Sequence, residues 1–395
     1  MIQQFSFDIK MIRKIWYSVS GAFHEISDCV FFKKYKINFL ILGFFVMSIL
    51  IAGCMSKIPD NNSSNHEAYP SNNNFSDPNL PAVDGISKNS EMTRGGLQLT
   101  HNAGWSARMG QSGVILPDGE IIIMGGQDGN GFNNDVWLLK DKVSTWELIN
   151  ESAGWSKRTE HCSVVMSDGS IILMGGLNNL MQKTNDVWRS IDGGNTWTVM
   201  TPHAEWPART AHSCVAMPDN TVVLMGGRDN QGDKNDVWCS VDNGATWALM
   251  NANPAWSPRF YHSSVAMADG SIVLMGGGPY PGQIKMNDVW RSVDNGATWT
   301  LVNASAGWSE RYSHSSIVTP DGSIVLTGGF DTYRLKNDTW LSTNHGATWT
   351  QITPDSGWPE RFGHSSVAMP DGSVIVMGGQ TSGCIYTNDV WQLEL

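Results

Sequence analysis

Charge is scarce in this 395-residue chain: 16% of its residues are Asp, Glu, Lys or Arg, against about 25% in an average soluble protein. Basic residues are the scarcer kind. From Cys54 onward 34 acidic residues face 20 basic ones, a net charge of −14, and no Lys/Arg-rich run occurs beyond the N-terminus. That balance argues against a nucleic-acid partner. Cysteine is also sparse, and Cys29, Cys54, Cys162, Cys214, Cys239 and Cys384 are irregularly spaced. They form neither a disulfide framework nor a zinc signature, and a chain this long buries enough core to need neither. No cofactor and no metal are expected.

Long apolar runs are lacking as well. Residues 39–53 form a 15-residue stretch broken only by Ser48, short of the ~20 that a membrane span needs. Lys33, Lys34 and Lys36 precede it, the order of n-region and h-region in a secretory signal. The stretch ends in Ile51-Ala52-Gly53-Cys54, which resembles the prokaryotic lipobox. The resemblance implies cleavage before Cys54 and lipid attachment to its thiol. An uncleaved signal anchor over 37–55 is the alternative. Either way the lysines stay inside and the rest is carried out. The expectation is a membrane-anchored protein of the cell envelope, on the outer face of the cytoplasmic membrane or beyond. Segment 1–53 is then a targeting segment, with 1–29 expected to be an over-extended start. Residues 54–93 are rich in Asn, Ser and Pro, too poor in apolar surface to fold, and read as a disordered tether.

Glycine (41) and tryptophan (18) are in excess, and both trace to an internal repeat. An Arg follows a Trp by three residues six times: Trp105/Arg108, Trp155/Arg158, Trp206/Arg209, Trp256/Arg259, Trp308/Arg311 and Trp358/Arg361. The Trp-to-Trp intervals are 50, 51, 50, 52 and 50. Units 1 to 6 are numbered from these tryptophans. Each contains a double glycine, from Gly125-Gly126 to Gly378-Gly379, and then an Asn-Asp pair, from Asn134-Asp135 to Asn388-Asp389. Unit 4 parses into four short strands at 262–267, 271–275, 289–293 and 298–302, with a hairpin turn at Ala268-Asp269-Gly270. Four strands every ~50 residues read as one propeller blade. A lone blade cannot bury both faces of its sheet, and radial stacking does.

The double glycine closing the second strand, with a spaced aromatic pair after it, resembles the Kelch repeat. The resemblance covers 97–395 and implies an all-β, six-bladed β-propeller with four antiparallel strands per blade. In such a fold the first strand of each blade lines a central channel. Unit 6 stops at its third strand, and Leu97-Gln98-Leu99-Thr100 precedes unit 1 where other units carry a fourth. The N-terminal strand is therefore expected to complete the last blade and close the ring, giving a monomeric domain over 94–395. A second string, S-x-D-x-G-x-T-W, occupies the turn between third and fourth strands from Ser190, Ser240, Ser292 and, less strictly, Ser342. It resembles the Asp-box of sialidases and other propellers, where it serves hairpin geometry away from the active site.

Candidate chemistry is thin. Six arginines invite comparison with the arginine cluster that holds a sialic acid carboxylate, but one per blade at a fixed offset argues for a shared structural task, such as an inter-blade ion-pair network. His161, His212, His262, His314 and His364 stand three residues after the Arg, with Gln111 in their place in unit 1. Five blades around a wide channel do not bring their rings within the ~2.1 Å that one metal ion requires. Glycoside hydrolysis needs two positioned carboxylates, or the tyrosine nucleophile of sialidases. Glu160, Glu310 and Glu360 are non-repeating acids near the ligand side, with no dedicated partner evident. Cys384 near Tyr386 falls far short of the copper-oxidase set of some Kelch propellers. No catalytic residue is assigned.

Binding on a propeller resides where units differ. Ahead of the first strands, units 1 to 3 carry Met109-Gly110, Thr159-Glu160 and Thr210-Ala211, whereas units 4 to 6 carry Phe260-Tyr261, Tyr312-Ser313 and Phe362-Gly363. The loops add Tyr280, Phe330, Tyr333 and Tyr386 to that same half. Eight aromatics are thus expected on one side of one face, suited to sugar rings or protein hot spots. Arg228, Lys285, Arg334 and Lys336 lie nearby for an acidic partner. The sequence points to a binding module for a glycan or protein. Two other readings stay open: an enzyme on sialic acid or a related sugar (hydrolase or mutarotase), and a structural surface component.

Overall fold

The computed structural model describes residues 95–140, 145–280 and 284–395. The targeting segment, Cys54 and the tether lie outside the described residues. What is described is all-β, with one 3₁₀ turn at Ser382–Cys384 and no α-helix among the described residues.

Each unit forms an antiparallel four-stranded sheet, consistent with a propeller. In unit 4 the strands are Ser263–Ala266, Ile272–Met275, Val289–Ser292 and Thr300–Asn303. The first four residues of the second strand are buried in every unit, as in Ile121–Met124 and Ile272–Met275. That explains its unbroken apolar sequence, since a strand covered on both faces has no polar side to show. In unit 6 the strand Leu97–Thr100 pairs with Ile385–Leu393, Leu97 opposite Gln392 and Thr100 opposite Val390.

The apolar cores lie between units. Trp155 of unit 2 packs with Val114, Ile122 and Met124 of unit 1, and Trp105 of unit 1 packs with Val367, Ile375 and Met377 of unit 6. The tryptophans play three roles, all three filled in units 1 to 5. The first is fully buried in the junction. The second donates its indole N–H to the Asp of the Asn-Asp pair, as in Trp188 to Asp186 at 2.7 Å. The third meets the first edge-on, as Trp197 meets Trp155 at 6.0 Å and 86°. Unit 6 has no third tryptophan, so the repeats hold 17 of the 18, and Trp16 is the other.

The innermost strands touch in sequence, and Ser365–Ala368 also meets Ser112–Ile115. Just ahead of them Gly110, Glu160, Ala211, Tyr261, Ser313 and Gly363 all have positive φ, between 53° and 63°. Each donates its N–H to the carbonyl of the equivalent residue in the preceding unit, and Gly110 donates to Gly363, all at 2.9–3.0 Å. Four of the six are not glycine. They adopt the left-handed region at a cost of roughly 1–2 kcal/mol each, offset by a hydrogen bond that would otherwise be missing.

A disulfide joins Cys162 to Cys214, Cα atoms 6.1 Å apart, where the irregular spacing suggested no pairing. The two occupy different repeat offsets, one and two residues after the histidine, in adjacent inner strands. The same two offsets in units 4 and 5 hold Ser263 and Ser316, whose hydroxyls are hydrogen-bonded at 2.7 Å. Neighbouring strands are staggered by one residue, so complementary offsets, not equal ones, face each other.

Candidate functional site

The residues present in every blade are committed to the fold. Arg108, Arg158, Arg209, Arg259, Arg311 and Arg361 are 0–1% exposed. Each holds the Asp of its own unit's Asn-Asp pair through two nitrogens, as in Arg259 to Asp288 at 2.8 Å twice, and donates to the first carbonyl of the double glycine, Gly276 at 2.9 Å. The ion pairs are therefore within units, not between blades as the sequence suggested. These arginines have no free edge for a ligand carboxylate.

The histidines span units instead. His314 Nε2 meets Ser263 Oγ of unit 4 at 2.8 Å, and a methyl added to Gly276 would stand 2.7 Å from the same ring. The double glycine is thus where the next unit's imidazole lands. Gln111 fills the role in unit 1, donating to the Met377 carbonyl at 3.0 Å. Burial, reinforced by the arginine of the same unit, holds His161, His212, His314 and His364 at about 3 and His262 well below its usual value. They stay neutral at physiological pH. Among the described residues no group of three His, Cys, Asp or Glu is placed to hold a metal ion.

The unit-specific residues build two features. A central cavity of about 150 Å³ is lined by the histidines, Gln111, Glu160 and Tyr261. Glu160 has the dedicated partners that its sequence did not reveal. Its carboxyl accepts from the Tyr261 hydroxyl and from Thr210 Oγ1, bridging units 2 to 4 across the mouth. Burial pushes the Glu160 carboxyl up, against the pull of Tyr261, Thr210 and Lys183. Burial and then the Glu160 charge push the Tyr261 hydroxyl well up.

The second feature is a run of rings on units 4 to 6. Phe260 touches Tyr261, Tyr280 and Tyr312 at 4.7, 6.4 and 6.5 Å, Tyr312 touches Phe330 at 5.6 Å, and Phe330 touches Phe362 at 6.4 Å. Six of the eight expected aromatics are thus brought together. Phe260 is only 4% exposed and forms the floor, while the others are partly exposed. Tyr333 stands apart at a turn tip, 90% exposed. Tyr386 lines a different, polar cleft of about 670 Å³ with His101, Asp355 and Asp389. Two cations sit on the rings: Arg228 lies 4.0 Å from the Tyr280 centroid, and Lys285 lies 5.0 Å from Tyr312 and 4.8 Å from Phe330. Burial pulls the Lys285 ammonium down and the Tyr312 hydroxyl up to about 12.

A family model, the KLHDC2/KLHL20/DRC7 Kelch-repeats domain, matches residues 91–227 and 211–395. The chain belongs to the Kelch-repeat family. No curated protein matches it. Kelch repeats suggest a protein-interaction module, and the sheets, double glycines and inter-unit tryptophans described above are the physical content of that repeat here.

Proposed function

We propose that the chain is a six-bladed Kelch propeller, closed by Leu97–Thr100, that binds a protein partner on the aromatic face of units 4 to 6. The pairing of Leu97–Thr100 with the last strand and the hydrogen-bond cycle through Gly110 and Gly363 support the closure. The observation that carries the binding reading is the connected ring cluster from Tyr280 to Phe362, built on residues that the repeat does not require. Tyrosine and arginine are the residue types that anchor protein interfaces. A glycan ligand would use the same rings.

The N-terminal signal supports placing this module outside the cytoplasm, held by Cys54 or by an uncleaved anchor. The Cys162–Cys214 disulfide fits an oxidising compartment.

The sugar-enzyme reading retains one favourable observation, the contact of Glu160 with Tyr261 at the mouth of the central cavity, since a carboxyl beside a phenol is what a tyrosine nucleophile needs. Against it stand the commitment of all six repeat arginines and the small cavity. One experiment separates the readings. The full chain in detergent micelles is titrated with peptide and glycan arrays by tryptophan fluorescence, and the same samples are analysed by mass spectrometry. Saturable binding without new products, weakened by Tyr280→Ala with Tyr333→Ala, is expected. Product formation abolished by Tyr261→Phe would replace the binding module with the enzyme.

A further inference from the structure

Lys285 is 6% exposed, and its ammonium lies over the adjoining rings of Tyr312 and Phe330. A buried ammonium is costly unless an anion or hydrogen-bond acceptor meets it. The other half-buried basic residues beside these rings have their anions: Arg228 pairs with Asp233 at 2.6 Å, Lys234 with Asp229 at 3.0 Å and Lys336 with Asp331 at 2.7 Å. Among the described residues Lys285 Nζ has no oxygen within hydrogen-bond or ion-pair distance, only the two ring faces. The acids that act on it electrostatically are Asp331 and Glu310. Asp331 is occupied by Lys336 and by the N–H groups of Tyr333 and Arg334, and Glu310 points to solvent. The turn after Phe330 presents three exposed side chains, Thr332, Tyr333 and Arg334.

We propose that Lys285, resting on Tyr312 and Phe330, is an anion subsite that receives a side-chain carboxylate from an acidic segment of the protein partner, with Tyr333 and Arg334 at its rim. This rests on the reading of the aromatic face as the binding surface. A carboxylate supplies the acceptor that the ammonium lacks, and the methylenes of a glutamate lie on the flanking rings. The rest of the domain is acidic, so the attraction is local, and an unpaired charge at one point selects one acidic residue in register. A partner with a neutral residue there would cover the ammonium and leave it unmatched.

The test uses the full chain in detergent micelles with three probes: the dodecapeptide (Glu-Ala)6, its neutral match (Gln-Ala)6, and oligogalacturonate as an acidic glycan. Lys285→Met keeps an apolar stem beside the rings, and Tyr280→Ala with Tyr333→Ala tests the face itself. Thermal melts check that each variant is folded. (Glu-Ala)6 is expected to bind saturably, with at least tenfold loss in Lys285→Met, recovery in Lys285→Arg, and at least tenfold weaker binding of (Gln-Ala)6. In the unsubstituted chain the Lys285 ε-methylene resonance should shift on adding (Glu-Ala)6, which keeps the test open if the variant misfolds. Unchanged binding to Lys285→Met, with weaker binding to the tyrosine variant, overturns the subsite and leaves the face standing. Unchanged binding to every variant overturns both. Binding of oligogalacturonate but not of peptide overturns the protein source in favour of an acidic glycan. No binding of (Glu-Ala)6 to the unsubstituted chain also overturns the proposal.

Discussion

Asp288 and Arg259 show how one repeated pair serves three strands at once. The guanidinium ties the Asp ahead of the third strand, the glycine carbonyl ending the second, and the Ser257 carbonyl leading toward the first. Removing one partner of a buried pair strands the other charge, at a cost of about 3–5 kcal/mol. Asp288→Ala should therefore lower the urea midpoint sharply, whereas Glu394→Ala, on an exposed terminus, should not. The buried histidines make stability depend on acid. With folded values near 3 for four of them and about 6.5 when unfolded, the unfolded chain takes the protons first. Stability is complete above about pH 6.5 and declines toward pH 3, by up to ~1.4 kcal/mol per pH unit for each histidine. Urea titrations from pH 7 to 4 should show this slope. His364→Gln, imitating Gln111, should reduce it by one proton while preserving the fold.

Among the elements, the inner strands carry the one covalent link between units. The disulfide closes a 52-residue separation, and a loop of that size is worth ~4 kcal/mol in the chain-entropy account. Reduction should lower the melting temperature. The double variant Cys162→Ser, Cys214→Ser should melt with the reduced chain and regain the hydroxyl contact seen between Ser263 and Ser316. Strand positions, the double glycine and the Trp-Arg spacing were legible from the sequence because each recurs in every unit, whereas the partner of each Arg was not, since its Asp lies a variable 27 to 29 residues on and only the folded sheet brings the two together. The disulfide was not, since its cysteines occupy unequal offsets that meet only through strand stagger. Glu160 and Tyr261 were likewise opaque as a pair: 101 residues and two units separate them, and no local pattern encodes which side chains cross a channel mouth. Lys285 was noted near the aromatics, but its seat over two rings depends on loop geometry that periodicity does not determine.

At the level of the whole molecule, the two ends of the described chain share a sheet through Leu97–Thr100 and Ile385–Leu393. Deleting residues 95–101 should cost far more stability than deleting 55–93, because it exposes the last strand's edge and the junction beside Trp391. Equal melting temperatures for the two truncations would show that the pairing contributes little.

The six N–H groups from Gly110 to Gly363 all donate in one rotational sense, each to the unit before it. Such a homodromic cycle has no terminal member, so none of its bonds can fray first, and opening any one requires two inner strands to part. It also makes the number of repeats an integer constraint rather than a length. A solenoid tolerates one more or one fewer module at its end. In the closed six-bladed ring proposed above, a gene duplication that added a seventh copy would alter the angle at every joint, so diversity is expected to come from the loops and not from added modules.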